Sequence, residues 1–299
     1  MSTLYTQQDR NIEKTWLLMA VFLVFVVGIG YFISYYYNSP AILYIAIIFA
    51  VFMNIFSYWY SDTIALKTSR AMPTTRDQYP DLYNIVENLS ITAGIPMPKI
   101  YVITDPSPNA FATGRNKEHA SIAVTSGLLQ MMNTVELEGV LAHELSHVKN
   151  RDILLSTVVV VLVGFISILA NMFIRGSMFG IGGGRGRNDE AGEIMEVVGI
   201  IFIILSPIVA TIIQLAISRK REYLADASGA LLTRYPEGLA SALQKIANAN
   251  IPMKNANTAT AHLYISNPFG KLGQKTAGLF STHPPIQDRI NALLGTVQK

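Results

Sequence analysis

The sequence predicts a mainly α-helical integral membrane protein with four transmembrane helices and an α+β domain built around a small β-sheet. Three observations carry that reading. The 299 residues are 51% apolar and only 14% charged, against roughly 25% charged in an average soluble protein. Mean hydropathy is +0.34. The charges are also unevenly placed, with none between Lys14 and Asp62, none over 153–174 and none over 197–218.

A hydrocarbon core about 30 Å thick needs ~20 helical residues. The first uncharged stretch is broken at Asn38-Ser39-Pro40, so it reads as two spans, 16–37 and 41–60, joined by a tight turn. Trp16, Tyr35, Tyr36, Tyr37, Trp59 and Tyr60 stand at their ends, where amphipathic rings settle at headgroup level. The stretches 153–174 and 197–218 form a second hairpin around an external loop, 175–196, that is rich in glycine. The domain division is then 1–61 as one membrane hairpin, 62–152 and 219–299 as two parts of one domain, and 153–218 as the hairpin between them. The side holding both termini carries Arg10, Lys14, Lys67, Arg70, Lys149, Arg151 and the run Arg219-Lys220-Arg221, against Arg175, Arg185 and Arg187 opposite. Positive charge marks the cytoplasmic side, so termini and domain are expected in the cytoplasm of a multi-pass inner-membrane protein. A net charge of +3 gives no reason to invoke nucleic acid, and the absence of cysteine excludes disulfides and thiolate ligands.

Within the domain, 80–94 reads as a helix ended by Gly94, and 99–103, 109–113 and 121–125 read as short strands between turn residues. Asn133 with Glu136 three residues on gives a capping box. It opens a helix that can run on into the third span. Further helices are expected over 237–249 and 284–294, the latter starting at Pro284-Pro285. Met131 and Met132 read as core, and His119 and His262 as surface or satisfied core residues.

The chemistry lies in His143-Glu144-Leu145-Ser146-His147. On a helix, residues four apart share a face, so both imidazoles can reach one metal ion while Glu144 holds the attacking water. A catalytic zinc needs a third protein ligand and an open fourth position. A histidine six residues past His147 is excluded, because that position is Ile153, and the spans contain no Asp, Glu or His. Glu222, directly after the basic run, is the expected third ligand, and Asp226 one turn later is placed to accept a ring N–H from a ligand histidine. The fold expectation sharpens to a zincin-type (gluzincin) catalytic domain.

These residues carry a resemblance. The motif from His143 to Asp152, Glu222-Tyr223-Leu224-Ala225-Asp226, Asn109-Ala110-Phe111-Ala112-Thr113-Gly114 and Ser281-Thr282-His283-Pro284-Pro285 together resemble the bacterial HtpX-type membrane zinc endopeptidases, relatives of the CAAX prenyl proteases. The resemblance spans essentially the whole chain. It implies one catalytic zinc and proteolytic quality control of unfolded or damaged membrane proteins under stress, within the lipid bilayer. Beside it, Asn109, Ala110, Phe111 and Ala112 read as an edge strand to which an extended substrate adds by main-chain hydrogen bonds. His283 reads as a neutral donor to the oxyanion, or alternatively as a cap or a link to Asp226. Two other classes compete: a prenyl-protein protease, for which four spans are too few to build a large chamber, and a membrane protein with a closed structural zinc, which has no use for Glu144.

Overall fold

The computed structural model describes residues 4–162, 164–165, 219–270 and 284–295. Helices α1 (Leu4–Tyr36) and α2 (Pro40–Thr68) form the first hairpin. Both contain stretches long and apolar enough to cross a membrane, Asn11–Tyr36 and Pro40–Thr68. They run past the expected span ends because polar residues such as Asn11, Thr15 and Ser61 continue each helix toward the domain. The turn is made by Asn38 in a left-handed conformation (φ 48°) followed by Pro40 at the first position of α2. Trp16, Phe32, Tyr35, Ile48, Phe52 and Trp59 stay exposed on this hairpin, an apolar surface of the kind that meets lipid.

The domain begins with strand β1 (Met72–Pro73) and helix α3 (Pro80–Ala93), which ends at Gly94 in the left-handed region (φ 69°). Strands β2 (Lys99–Ile103), β3 (Ala110–Gly114) and β4 (Ala120–Thr125) complete a four-stranded sheet of order β1-β2-β4-β3. β2 and β4 are parallel, while β3 lies antiparallel to β4 at the sheet edge. After a short helix α4 (Ser126–Met131), the motif helix α5 (Thr134–Lys149) starts at the expected capping box, with Asn133 and Glu136 each satisfying the other's backbone N–H. Helices α7 (Arg219–Thr233) and α8 (Pro236–Ala249) pack against it, and α9 (Ile286–Leu293) packs on α7 and α8.

α5 does not run on into the third span. The helix stops at Lys149, Arg151 adopts a left-handed conformation (φ 57°), and a new helix, α6 (Ile153–Leu162), begins after Asp152. Asn150 and Asp152 favour helix ends over interiors because their side chains compete for backbone groups. The break folds Asp152 back toward His147. The rest of the second hairpin, including the fourth span and the glycine-rich loop, lies outside the described residues, as does His283.

The core is continuous from the sheet through α5. Leu82, Val86 and Leu89 of α3, Ile122 and Val124 of β4, Val140, Leu141 and Leu145 of α5, and Leu239 and Leu243 of α8 form one cluster. Two glycines set how closely the helices approach the motif. A Cβ on Gly139 would lie 2.6 Å from the Leu239 backbone nitrogen, and one on Gly229 would lie 3.0 Å from the His143 nitrogen. A Cβ is excluded at Gly139 and crowded at Gly229, so α7 lies directly against the turn that carries His143.

Candidate metal centre

α5 puts His143 and His147 on one face with their Nε2 atoms 3.1 Å apart. The same atoms lie 3.8 and 3.7 Å from the carboxylate oxygens of Glu222, which α7 brings in from across the interface. Ligand atoms of the three residues all fall within 4.8 Å of one another. The other ring nitrogens are held by acids: His143 Nδ1 lies 2.8 Å from Asp226 Oδ1, and His147 Nδ1 lies 3.0 Å from Asp152 Oδ2. With each Nδ1–H donated to a carboxylate, each Nε2 turns a lone pair toward the other. Two facing lone pairs repel unless a cation sits between them. Two nitrogens bound to zinc at about 2.0–2.1 Å with tetrahedral angles lie about 3.3 Å apart, so the donor set fits that ion.

The electrostatics match. Burial alone would lower the His147 pKa, but Asp152, Glu222 and Glu144 outweigh it and push it up to about 10, so a proton takes the cation's place when no metal is bound. His143 goes the other way, lowered by burial and by the Arg289 guanidinium despite Asp226. Glu144 is pushed up to about 7 by burial and by Glu222, against His147 and an N–H donated from the Ala112 backbone. A carboxyl titrating near neutrality can both take and return a proton.

Two contributors were not singled out from the sequence. Asp152 orients His147 as Asp226 does His143, an acid at the end of the motif whose role appears only once the helix breaks. Arg289, fully buried, donates from Nε and Nη2 to Asp226 at 2.9 and 2.7 Å and stands 3.7 Å from Glu222. An arginine near the start of a short helix after two prolines gives no signal of burial. His262, expected as a surface or satisfied core residue, is the latter: it is buried, lines the cleft with Glu144 and Glu222, and its Nε2–H donates to the Ser156 carbonyl at 2.9 Å. His119, by contrast, is exposed and bonded to Asn116.

Asn109, Ala110, Phe111 and Ala112 are brought to the sheet edge beside the cleft, yet all four are buried. Phe111 packs edge-on against Tyr264 at 5.1 Å. Of the four only Ala112 lines the cleft that holds the histidines, which has a volume of about 30 Å³.

Residues 76–297 match the family described as Peptidase family M48. The chain is 51% identical to a "Protease HtpX homolog" of Caldanaerobacter subterraneus subsp. tengcongensis, over 97% of both chains. It is 49% identical to one from Pyrococcus furiosus, over 94% of both. Its fold is similar to that of Ste24p from S. mikatae, with a TM-score of 0.52 at 20% identity, covering 94% of this chain and 66% of that one. With the motif helix, the third acid and the full-length relatives in agreement, the chain belongs to peptidase family M48.

Proposed function

We propose that this protein is a zinc endopeptidase that hydrolyses peptide bonds in unfolded or damaged membrane proteins at the cytoplasmic face of the inner membrane. The observation that supports it most is the pair of Nε2 atoms 3.1 Å apart, each ring anchored from behind by a buried carboxylate. His143, His147 and Glu222 would hold the ion, with Asp226 and Asp152 fixing the rings. Zinc supplies Lewis acidity at the scissile carbonyl and brings a bound water's pKa toward ~7. Glu144 takes a proton from the attacking water on its carboxylate and returns it to the leaving amine. The oxyanion role of His283 rests on the resemblance.

The two-part domain joined through a second membrane hairpin, with Arg219-Lys220-Arg221 just before Glu222, keeps the cleft close to the bilayer and suits substrates leaving it. Casein cleavage by detergent-purified protein tests the activity: it should stop with a chelator and return with zinc. Chelator-insensitive cleavage would contradict the reading. A single cysteine at Thr233 should be labelled only after cell lysis and one at Gly183 from outside; labelling of Thr233→Cys in intact cells would reverse the orientation.

A further inference from the structure

Along α2 the surroundings change within a few residues. Ile48, Phe52 and Ile55 are exposed, whereas Ser61, Ala65 and Leu66 are buried, the last two in one cluster with Ile103 and Phe111 of the sheet. Trp59 and Tyr60 stand at the crossing and are themselves exposed, in the position where aromatic rings settle at headgroup level.

The turn between β3 and β4 comes down to the same level. The Arg115 guanidinium lies over the Trp59 ring, 4.5 Å from its centre. Two contacts to α6 fix the turn from the other side: Thr113 Oγ1 lies 3.0 Å from Thr157 Oγ1, and the Gly114 N–H reaches the same oxygen at 3.5 Å. Thr157 is one turn into α6, where the third span is expected to begin. The turn is also tight. A Cβ on Gly114 (φ 147°) would lie 2.4 Å from the His119 carbonyl oxygen, and Asn116 Oδ1 accepts the His119 N–H at 2.9 Å.

The neighbouring charges are already matched. Lys117 is answered by Glu118 at 3.9 Å, and Asp62, three residues past Trp59, accepts from the Thr63 N–H and hydroxyl. Among the described residues no carboxylate pairs with Arg115, which is half-buried against the ring. A guanidinium stacked on an aromatic face keeps its planar fork of N–H donors for acceptors beyond the ring's edge, and that fork matches a phosphate.

We infer that Arg115, with Trp59 as its platform, binds the phosphate of an anionic phospholipid, so that the β3–β4 turn docks the domain on the bilayer. This rests on the membrane placement proposed above and adds a lipid partner to it. The anionic class fits because a zwitterionic headgroup brings a cation of its own to its phosphate, and an anionic one does not. The consequence for the cleft is geometric. A strand rises about 3.3 Å per residue, so Ala112, which lines the cleft, stands about 10 Å from Arg115. A lipid held at the turn keeps the cleft at that height over the headgroups, within reach of a chain leaving the bilayer.

The test uses the full-length protein in vesicles that mix phosphatidylglycerol with phosphatidylcholine. The chain has 2 tryptophans, so Trp16→Phe leaves Trp59 as reporter while keeping a ring beside Tyr58. Bromine near the top of the acyl chains quenches an indole that the lipid touches, and brominating one lipid or the other gives their relative affinity at Trp59. One cation at the surface should favour phosphatidylglycerol about fivefold. Arg115→Gln should bring that ratio close to one, and Lys117→Gln should leave it unchanged. Salt provides a second measurement if Arg115→Gln does not fold: going from 0.1 M to 1 M shortens the screening length from about 10 Å to about 3 Å and should also bring the ratio close to one. Equal quenching by the two lipids, a preference that survives Arg115→Gln, or one indifferent to salt overturns the lipid site and leaves the membrane placement standing. A Trp59 that neither lipid quenches overturns both.

Discussion

Replacing Arg289 by methionine tests how the centre is held together. Arg289 is fully buried and its guanidinium donates twice to Asp226, whose third bond comes from His143 Nδ1. Asp226 is held below the usual carboxylate range, because Arg289 and His143 outweigh the burial that would raise it. Arg289→Met removes two charge-assisted hydrogen bonds and leaves a buried carboxylate with one partner. Charge-assisted bonds contribute about 1.5–3 kcal/mol each, and breaking a buried pair from one side costs about 3–5 kcal/mol. Methionine fills most of the volume, so little of that is cavity. Denaturant unfolding in detergent should therefore show a loss of about 3–5 kcal/mol. Asp226→Asn in the same chain should recover more than half of it, since asparagine keeps an oxygen for His143 while removing the stranded charge. A loss below about 1 kcal/mol, or a double variant no more stable than Arg289→Met, would refute the claim that the pair buttresses His143.

Two further outcomes follow from the charges. In the metal-free protein His147 is pushed up to about 10 while Glu144 sits at about 7, so zinc binding at pH 8 should displace about one proton, mainly from His147; calorimetry in two buffers of different ionisation enthalpy measures this, and a buffer-independent heat would contradict it. Glu136 is lowered from its model-peptide value of 4.5, since burial is outweighed by bonds from Lys245, Ser241 and the Asn133 N–H; a depressed carboxylate contributes stability above the unfolded pKa that is lost as pH falls through the folded one, so Lys245→Met should flatten the fall in Tm below about pH 4.5, and an unchanged slope would show that the ion pair contributes nothing.

What the sequence reveals here is what repeats or caps. The His143–His147 spacing, the Asn133–Glu136 box and the Gly94 stop are local, and the elements form where these signals place them. The three domain strands fall within a residue of their expected limits for the same reason. The break after α5 is hard to read because only Asn150, Arg151 and Asp152 separate two helical segments, and the left-handed turn at Arg151 is made by a residue type that does not announce one. Arg289 is illegible for another reason. Its partner, Asp226, lies far away in the chain, and nothing in the flanking residues encodes that meeting.

The most direct test of the centre compares zinc content and casein cleavage in the parent, Glu144→Gln and Glu222→Ala. Glu144→Gln should keep one zinc per chain and lose cleavage, because it removes the proton carrier and none of the ligands. Glu222→Ala should lose both, since two imidazoles hold the ion poorly without a third donor. Full zinc affinity in Glu222→Ala, or substantial cleavage by Glu144→Gln, would contradict the assignment of ligands and base.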